Sequence, residues 1–132
     1  MSREIKYRVW AKKRKGYREL DQLVFGKQGL EEVWVFPKDD ETQLVYHPSE
    51  VVAEQYTGLT DKNGKEIYEG DIIHFVKDGN AKVLWGKGKA MFCLKWLDCG
   101  VEDELDYNVI CRGPVEVIGN IHENPELLGV EE

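Results

Sequence analysis

Apolar residues along this chain mostly alternate with polar ones or stand in short runs, and helical periodicity is scarce. The apolar segments are rich in β-branched and aromatic residues, and each is bounded by glycine, proline, aspartate or asparagine. This pattern predicts a mainly β fold with an antiparallel, small barrel-like core, either a barrel or a sandwich. Strands are predicted at residues 5–10, 19–25, 33–36, 43–47, 51–56, 71–77, 81–85, 90–97 and 115–121.

The stretch "YTGLTDKNGKEIYEGDII", residues 56–73, is the most patterned part of the chain. Asn63-Gly64 is a strong hairpin signal, and Gly70-Asp71 indicates a bend into the next strand, because glycine tolerates positive φ. "KDGNAK" and "WGKGKA" predict two further hairpin turns. Near the end, "ENPELL" predicts one short helix of about two turns, with Asn124 as N-cap and Pro125 at the first helical position.

The same stretch superficially resembles a phosphate-binding loop or a calcium loop. A P-loop has four residues between its glycines and a hydroxyl after its lysine, whereas five residues separate Gly58 from Gly64, and Glu66 follows Lys65. An EF-hand with Gly64 at its sixth position would begin at Leu59 and end at Gly70, so two obligatory carboxylates are absent. The glycines are therefore interpreted as turn residues.

A chain of 132 residues fits a single domain, residues 1–132, which could divide into sub-regions 1–50 and 51–132 near Pro48. The three cysteines form no C-x-x-C pair and are interpreted as reduced, mostly buried residues. No metal, cofactor or catalytic set is predicted. No stretch approaches the ~18 consecutive apolar residues of a membrane helix, so we expect a cytoplasmic protein that does not contact the membrane.

The net charge of −7 is unevenly distributed. Residues 1–18 carry eight Lys/Arg and one Glu, whereas residues 98–132 carry ten Asp/Glu and one Arg. The basic segment "AKKRKGYR" is either a charged hairpin tip or a surface that binds phosphates and stacks on bases. The residues of the candidate nucleic-acid interface are Trp10, Lys12, Lys13, Arg14, Lys15, Tyr17 and Arg18.

The acidic cluster "DCGVEDELDY" has two interpretations. It could supply a carboxylate pair or a divalent-cation site, but a solvated loop explains it with fewer assumptions. The three histidines lie far apart in sequence, and hydrogen-bonded residues in or near the core are favoured over metal ligands. The acidic residues concerned are Asp98, Glu102, Asp103, Glu104 and Asp106.

Three ordered segments resemble the YopX-like proteins of bacteriophages and prophages: "REIKYRVW", "QYTGLTDKNGKEIYEGDII" and "VEVIGNIHENPELL". The resemblance implies a small, mostly β protein made in the cytoplasm of a bacterial host. It implies no reaction, because the family has no catalytic residues to carry over. "YEGDII" also looks like the opening strand of SH3-like small barrels, which is an analogy of fold only.

Two functions of different classes remain open from the sequence. The first is a non-enzymatic module that binds a phage or host protein or assembles with itself, because opposite charges and strand edges favour association. The alternative is a nucleic-acid-binding module that uses the basic segment. An enzyme with an acidic site comes third.

Overall fold

The computed structural model of the chain describes residues 4–38, 42–86, 88–111 and 113–128. These residues form strands, one short α-helix and two 3-10 turns, Pro48–Glu50 and Pro125–Leu128. The elements are β1 Tyr7–Ala11, β2 Gly16–Gly26, β3 Gly29–Val35, β4 Val45–Tyr46, β5 Val51–Thr60, β6 Glu66–Tyr68, β7 Asp71–Phe75, β8 Gly79–Gly86, β9 Met91–Trp96, β10 Glu102–Glu104, α1 Tyr107–Cys111 and β11 Val115–Asn120.

The strands form two antiparallel sheets, which confirms the prediction of a mainly β fold. Their strand orders are β4-β3-β2-β1-β5-β6 and β10-β9-β8-β7-β11. Over the described residues neither sheet closes on itself, so the expected barrel-like core takes the form of open sheets instead. The strands at the two ends of each order, which include β4 and β10, pair on one side only.

The chain divides into two compact units, each with its own core. One unit is residues 6–55, and the other is residues 1–5 with 56–132, so the division falls after Gln55 rather than near Pro48. The core of the first unit contains Val9, Ala11, Val33, Val35, Tyr46 and Val51. The core of the second contains Ile67, Ile73, Phe75, Ala81, Val83, Leu94, Leu105, Val109, Val115 and Val117.

Each of the nine predicted strands has a counterpart in the structure, with its ends shifted by a few residues. Strands β6 and β10 and helix α1 were not predicted. β10 consists of three exposed acidic residues, and β6 buries only Ile67, so neither presents a period-two apolar pattern. Helix α1 has five residues, and no described helix is long and apolar enough to cross a membrane.

The structure places the predicted turn residues between β5 and β7. Asn63 and Gly64 lie in the turn that joins β5 to β6, where Gly64 has a φ of +80°. Gly70 has a φ of +86° and lies immediately before Asp71, the buried first residue of β7. The Asp71 carboxylate accepts a hydrogen bond from the Tyr68 N–H at 2.8 Å, which closes the bend.

Two details of the sequence interpretation need correction. The predicted short helix in "ENPELL" is present as a 3-10 helix, Pro125–Leu128, but it is shorter than two turns, and the Asn124 side chain accepts from the N–H of Asn120 in β11. The cysteines were expected to be mostly buried, but only Cys93 is buried, while Cys99 and Cys111 are exposed. Cys99 lies in the turn that follows β9, and Cys111 ends helix α1, so neither belongs to a core strand.

Candidate functional site

The basic segment forms a four-residue loop between β1 and β2. We call residues 12–15 the basic loop. Ala11 pairs with Gly16 at its base, and the Lys15 N–H donates to the Ala11 carbonyl at 2.8 Å. Lys15 adopts the left-handed conformation, with a φ of +55°, that closes such a turn. All four side chains of the loop are exposed, so the hairpin presents four cations together.

The residues that flank the basic loop belong to the packing of their own unit. The Trp10 side chain is buried and meets the Tyr17 ring edge-on, with 5.0 Å between centroids. Tyr17 donates its hydroxyl to Glu54 at 2.9 Å, and the Arg8 guanidinium lies 4.3 Å from its ring centroid. Arg18 is buried. The predicted nucleic-acid interface stays a prediction, and its exposed part is the basic loop.

A cavity of about 510 Å³ lies beside the basic loop. We call it the basic cavity. One wall is the 3-10 turn Pro48–Glu50, which is bonded to the loop because the backbone N–H of Lys12 donates to the Glu50 carbonyl at 3.1 Å. The Lys12 ammonium donates to the Ser49 carbonyl at 3.0 Å. The lining residues are Lys12, Lys13, Arg14, Gln43, Tyr46, Ser49 and Glu50.

The 3-10 turn is held by its own side chains. The Glu50 carboxylate accepts from the His47 N–H at 2.7 Å, and His47 Nδ1 accepts from the Ser49 N–H at 3.1 Å. These two bonds satisfy backbone donors at the start of the turn, which are otherwise left without partners. The turn that forms this wall is therefore held by hydrogen bonds within residues 47–50.

Tyr46 connects the basic cavity to the core of its unit. It pairs with Val33 through β4, and its ring packs among the buried residues of that core. The side chain is 6% exposed, and its hydroxyl has no hydrogen-bond partner among the described residues. Most buried polar groups in proteins are hydrogen-bonded, so this hydroxyl is an exception. No motif or charge pattern in the sequence marks Tyr46 as a site residue.

The second unit has a cavity of opposite charge, with a volume of about 300 Å³. We call it the acidic cavity. It combines carboxylates with aromatic rings: Phe75 and Trp96 lie with centroids 5.0 Å apart, and the Trp96 indole N–H donates to Asp103 at 2.7 Å. The lining residues are Phe75, Asp78, Trp96, Asp98, Cys99, Asp103 and Val109.

The acidic cluster is divided between several roles. Glu102 and Glu104 are exposed on β10, while Asp98 and Asp103 line the acidic cavity. Asp106 accepts from the Val109 N–H at 2.9 Å and so caps helix α1. Aspartate is a typical N-cap residue, so Asp106 was the signal in the sequence that a helix could begin at the next residue. No group of three potential metal ligands occurs in the described part of the chain.

The histidines make local hydrogen bonds. His74 Nδ1 lies 2.8 Å from the Asn80 carboxamide oxygen across the β7–β8 pair, and His47 Nδ1 lies 2.8 Å from the Ser49 hydroxyl. The backbone N–H of His122 donates to Asn120. The partly buried His74 agrees with the interpretation from sequence, whereas His47 is exposed and does not lie in the core.

These features define a small, mainly β protein with two antiparallel sheets and two cavities of opposite charge. The family model of the YopX protein matches residues 6–129, and the chain belongs to that family. The comparison with curated proteins found no match.

Two solved structures are similar to this chain. Protein EF1440 from Enterococcus faecalis is 27% identical, with a TM-score of 0.69, and the match covers 97% of this chain and 100% of that one. The yopX protein from Bacillus subtilis is 18% identical, with a TM-score of 0.54, and the match covers 99% of this chain and 100% of that one. The second likeness supports the fold.

Proposed function

We propose that this protein is a non-enzymatic module that binds proteins and assembles with itself through opposite charges. The observation that carries the proposal is the acidic cavity, where carboxylates surround two aromatic rings. A lysine or arginine side chain suits such a cavity, because carboxylates attract the cation and aromatic faces hold it by cation–π contact. The partner is therefore a protein segment that presents a cationic side chain.

A second copy of this chain offers such a segment. The basic loop presents four exposed cations at the end of a hairpin, where a protruding side chain reaches a cavity on another molecule. A contact between the basic loop of one copy and the acidic cavity of the next is heterologous, because it uses different surfaces on the two copies. If the second loop and cavity of the pair also meet, the result is a two-fold dimer; otherwise the contact repeats into rings or open chains.

Light scattering behind a sizing column tests the self-assembly. We expect dimers or larger assemblies at high protein concentration and low salt, and their loss at high salt. The double variant Asp98→Asn/Asp103→Asn should be monomeric, since the new amide at position 103 can still accept the Trp96 N–H while two of the three lining carboxylates, all except Asp78, lose their charge. The matched control is Glu31→Gln/Glu32→Gln, two exposed carboxylates on β3. A strict monomer at high protein concentration and low salt would refute the proposed self-assembly.

The alternative function is nucleic-acid binding, which the clustering of four exposed cations in the basic loop favours. It predicts binding that weakens steeply with added salt, because each phosphate contact releases a counterion. Neutralising Lys12, Lys13, Arg14 and Lys15 together should abolish it, and the buried Arg18 is left unchanged so that folding is preserved. A gel-shift series at low salt with no retention of DNA or RNA would end this alternative.

We also propose that the protein is encoded by a phage or prophage and acts in the cytoplasm of a bacterial host. The resemblance of its three sequence segments to YopX-like proteins supports this origin. Co-purification of the tagged protein from lysogenic cells, followed by identification of what accompanies it, is the test. A bound protein supports the leading proposal, whereas recovery of nucleic acid that survives a salt wash favours the alternative.

A further inference from the structure

The Tyr46 hydroxyl is the starting point for a second binding site. Tyr46 lines the basic cavity with a side chain that is 6% exposed, and its buried hydroxyl has no partner among the described residues. A buried polar group without a partner destabilises the fold, and phenylalanine would fill the same core position without that cost. A ligand in the basic cavity whose oxygen reached this hydroxyl would remove that cost.

The charges around this hydroxyl indicate what the ligand is. Lys12, Lys13 and Arg14 line the same cavity, and their ammonium and guanidinium groups only donate hydrogen bonds. Among the described lining residues Glu50 is the one carboxylate, and it already accepts from the His47 N–H at 2.7 Å. Three cations and a hydroxyl donor suit an anionic ligand with several acceptor oxygens.

We propose that the basic cavity binds a phosphate ester, with the Tyr46 hydroxyl and the cations of residues 12–14 as donors to its oxygens. The volume of about 510 Å³ lies within the range of small-molecule pockets, so the cavity accommodates a nucleotide and not only an inorganic ion. The phosphate belongs either to a free mononucleotide or to a nucleic-acid strand. This site goes beyond the proposed function and does not depend on self-assembly.

Calorimetric titration of the whole chain at low ionic strength tests the site with three probes. Adenosine monophosphate should bind, and adenosine, which lacks the phosphate, should not. Single-stranded oligothymidylate is the third probe. If the mononucleotide binds at least as tightly as the oligonucleotide, the source is a free nucleotide; if only the oligonucleotide binds, it is a strand. Absence of binding by both phosphate probes overturns the proposal.

Tyr46→Phe separates ligand binding from packing. The variant keeps the ring and loses only the hydroxyl, so the unliganded protein should melt at the same temperature as the wild type or higher. Its affinity for the phosphate probe should fall about ten- to hundredfold, as expected for one hydrogen bond to a charged group. A variant that melts lower and binds as tightly as the wild type would show that the hydroxyl has a structural partner instead.

A matched pair of charge variants completes the design. Lys12→Gln/Lys13→Gln/Arg14→Gln should lose binding of the phosphate probe below detection. Its control, Lys27→Gln/Lys77→Gln/Lys89→Gln, changes the net charge equally at exposed positions outside the lining of the basic cavity and should bind within about twofold of the wild type. Equal losses in both variants would mean that only net charge matters, which overturns the assignment to this cavity.

Discussion

Replacing Asp61 should destabilise the protein strongly, because this one carboxylate joins the turn after β5 to the edge strand β11. One oxygen, Oδ1, accepts from the N–H groups of Asn63 and Lys65, both at 2.9 Å. The other, Oδ2, accepts from the Val117 N–H at 2.9 Å. The Lys62 N–H adds a bond to the Val115 carbonyl at 3.0 Å, so the turn covers the free side of β11.

The expected cost follows from where each donor lies. Asn63 and Lys65 are exposed, so water replaces the lost acceptor there, whereas the bond to Val117 is buried. Leaving a buried donor unsatisfied costs about 1–3 kcal/mol, and bonds to a charged acceptor are at the upper end. We therefore expect Asp61→Asn, whose amide oxygen can keep the turn, to cost about 2 kcal/mol in unfolding free energy, and Asp61→Ala about 4 kcal/mol.

The same carboxylate predicts a pH dependence. Burial by itself raises the pKa of Asp61, but hydrogen bonds from Val117, Lys65 and Asn63 outweigh it, and the net pKa lies below the ordinary value. A lowered pKa in the folded state means that the ionised form stabilises the fold. This contribution is complete above the unfolded pKa of about 3.9 and disappears as the pH falls through the folded pKa.

Urea unfolding followed by tryptophan fluorescence measures both effects. At neutral pH the midpoint of Asp61→Asn should lie well below that of the wild type, and the gap should shrink as the pH is lowered below about 4. Asp21→Asn, an exposed carboxylate on β2 outside both cavities, is the control and should change stability by less than about 0.5 kcal/mol. A gap that is absent at neutral pH, or that stays constant on acidification, would refute the reasoning.

Three further predictions concern packing and exposure. Ala90 is exposed and has a φ of +52°, a backbone conformation that is strained for alanine and not for glycine. Ala90→Gly should therefore raise the unfolding free energy by up to about 1 kcal/mol in urea unfolding. A loss of stability would show that the backbone at position 90 is not strained. Leu94 is fully buried, so Leu94→Ala should cost about 2–5 kcal/mol in the same assay, and a smaller loss would mean that the site collapses around the cavity. A thiol reagent, followed by mass spectrometry, should modify the exposed Cys99 and Cys111 quickly and the buried Cys93 only on unfolding. Equal modification rates at all three cysteines would contradict the burial of Cys93.

The sequence predicted strands well because alternation and turn residues are local signals. The turn at Asn63-Gly64 was predicted from two adjacent residues. The hydrogen bond that ties this turn to β11, from the Val117 N–H to the Asp61 carboxylate, joins positions 56 residues apart and could not be predicted in this way. β10 was not predicted, because its three residues are acidic and exposed. Charged strands carry no hydrophobic pattern, so only pairing with a neighbour reveals them.

The candidate site was predictable in charge but not in geometry. The basic loop was found from composition, yet Trp10 and Arg18, expected at the surface, are buried. Tyr46 was missed because its significance depends on β4 pairing with β3 and on the turn Pro48–Glu50, which bring it beside the loop. Contacts between elements that are distant in sequence decide which polar residues are left without a partner.

Both cavities lie at edge strands, and this shared position supports a role in binding. Tyr46 of the basic cavity belongs to β4, and Asp103 of the acidic cavity belongs to β10, which are edge strands of the two sheets. Unpaired edges invite association with other chains, and proteins protect them with charge, short length or a covering segment. β11 is covered by the turn after Asp61, β10 carries only acidic residues, and β4 has two residues. Because these devices discourage strand pairing, the two proposed sites rely on side chains and charge instead.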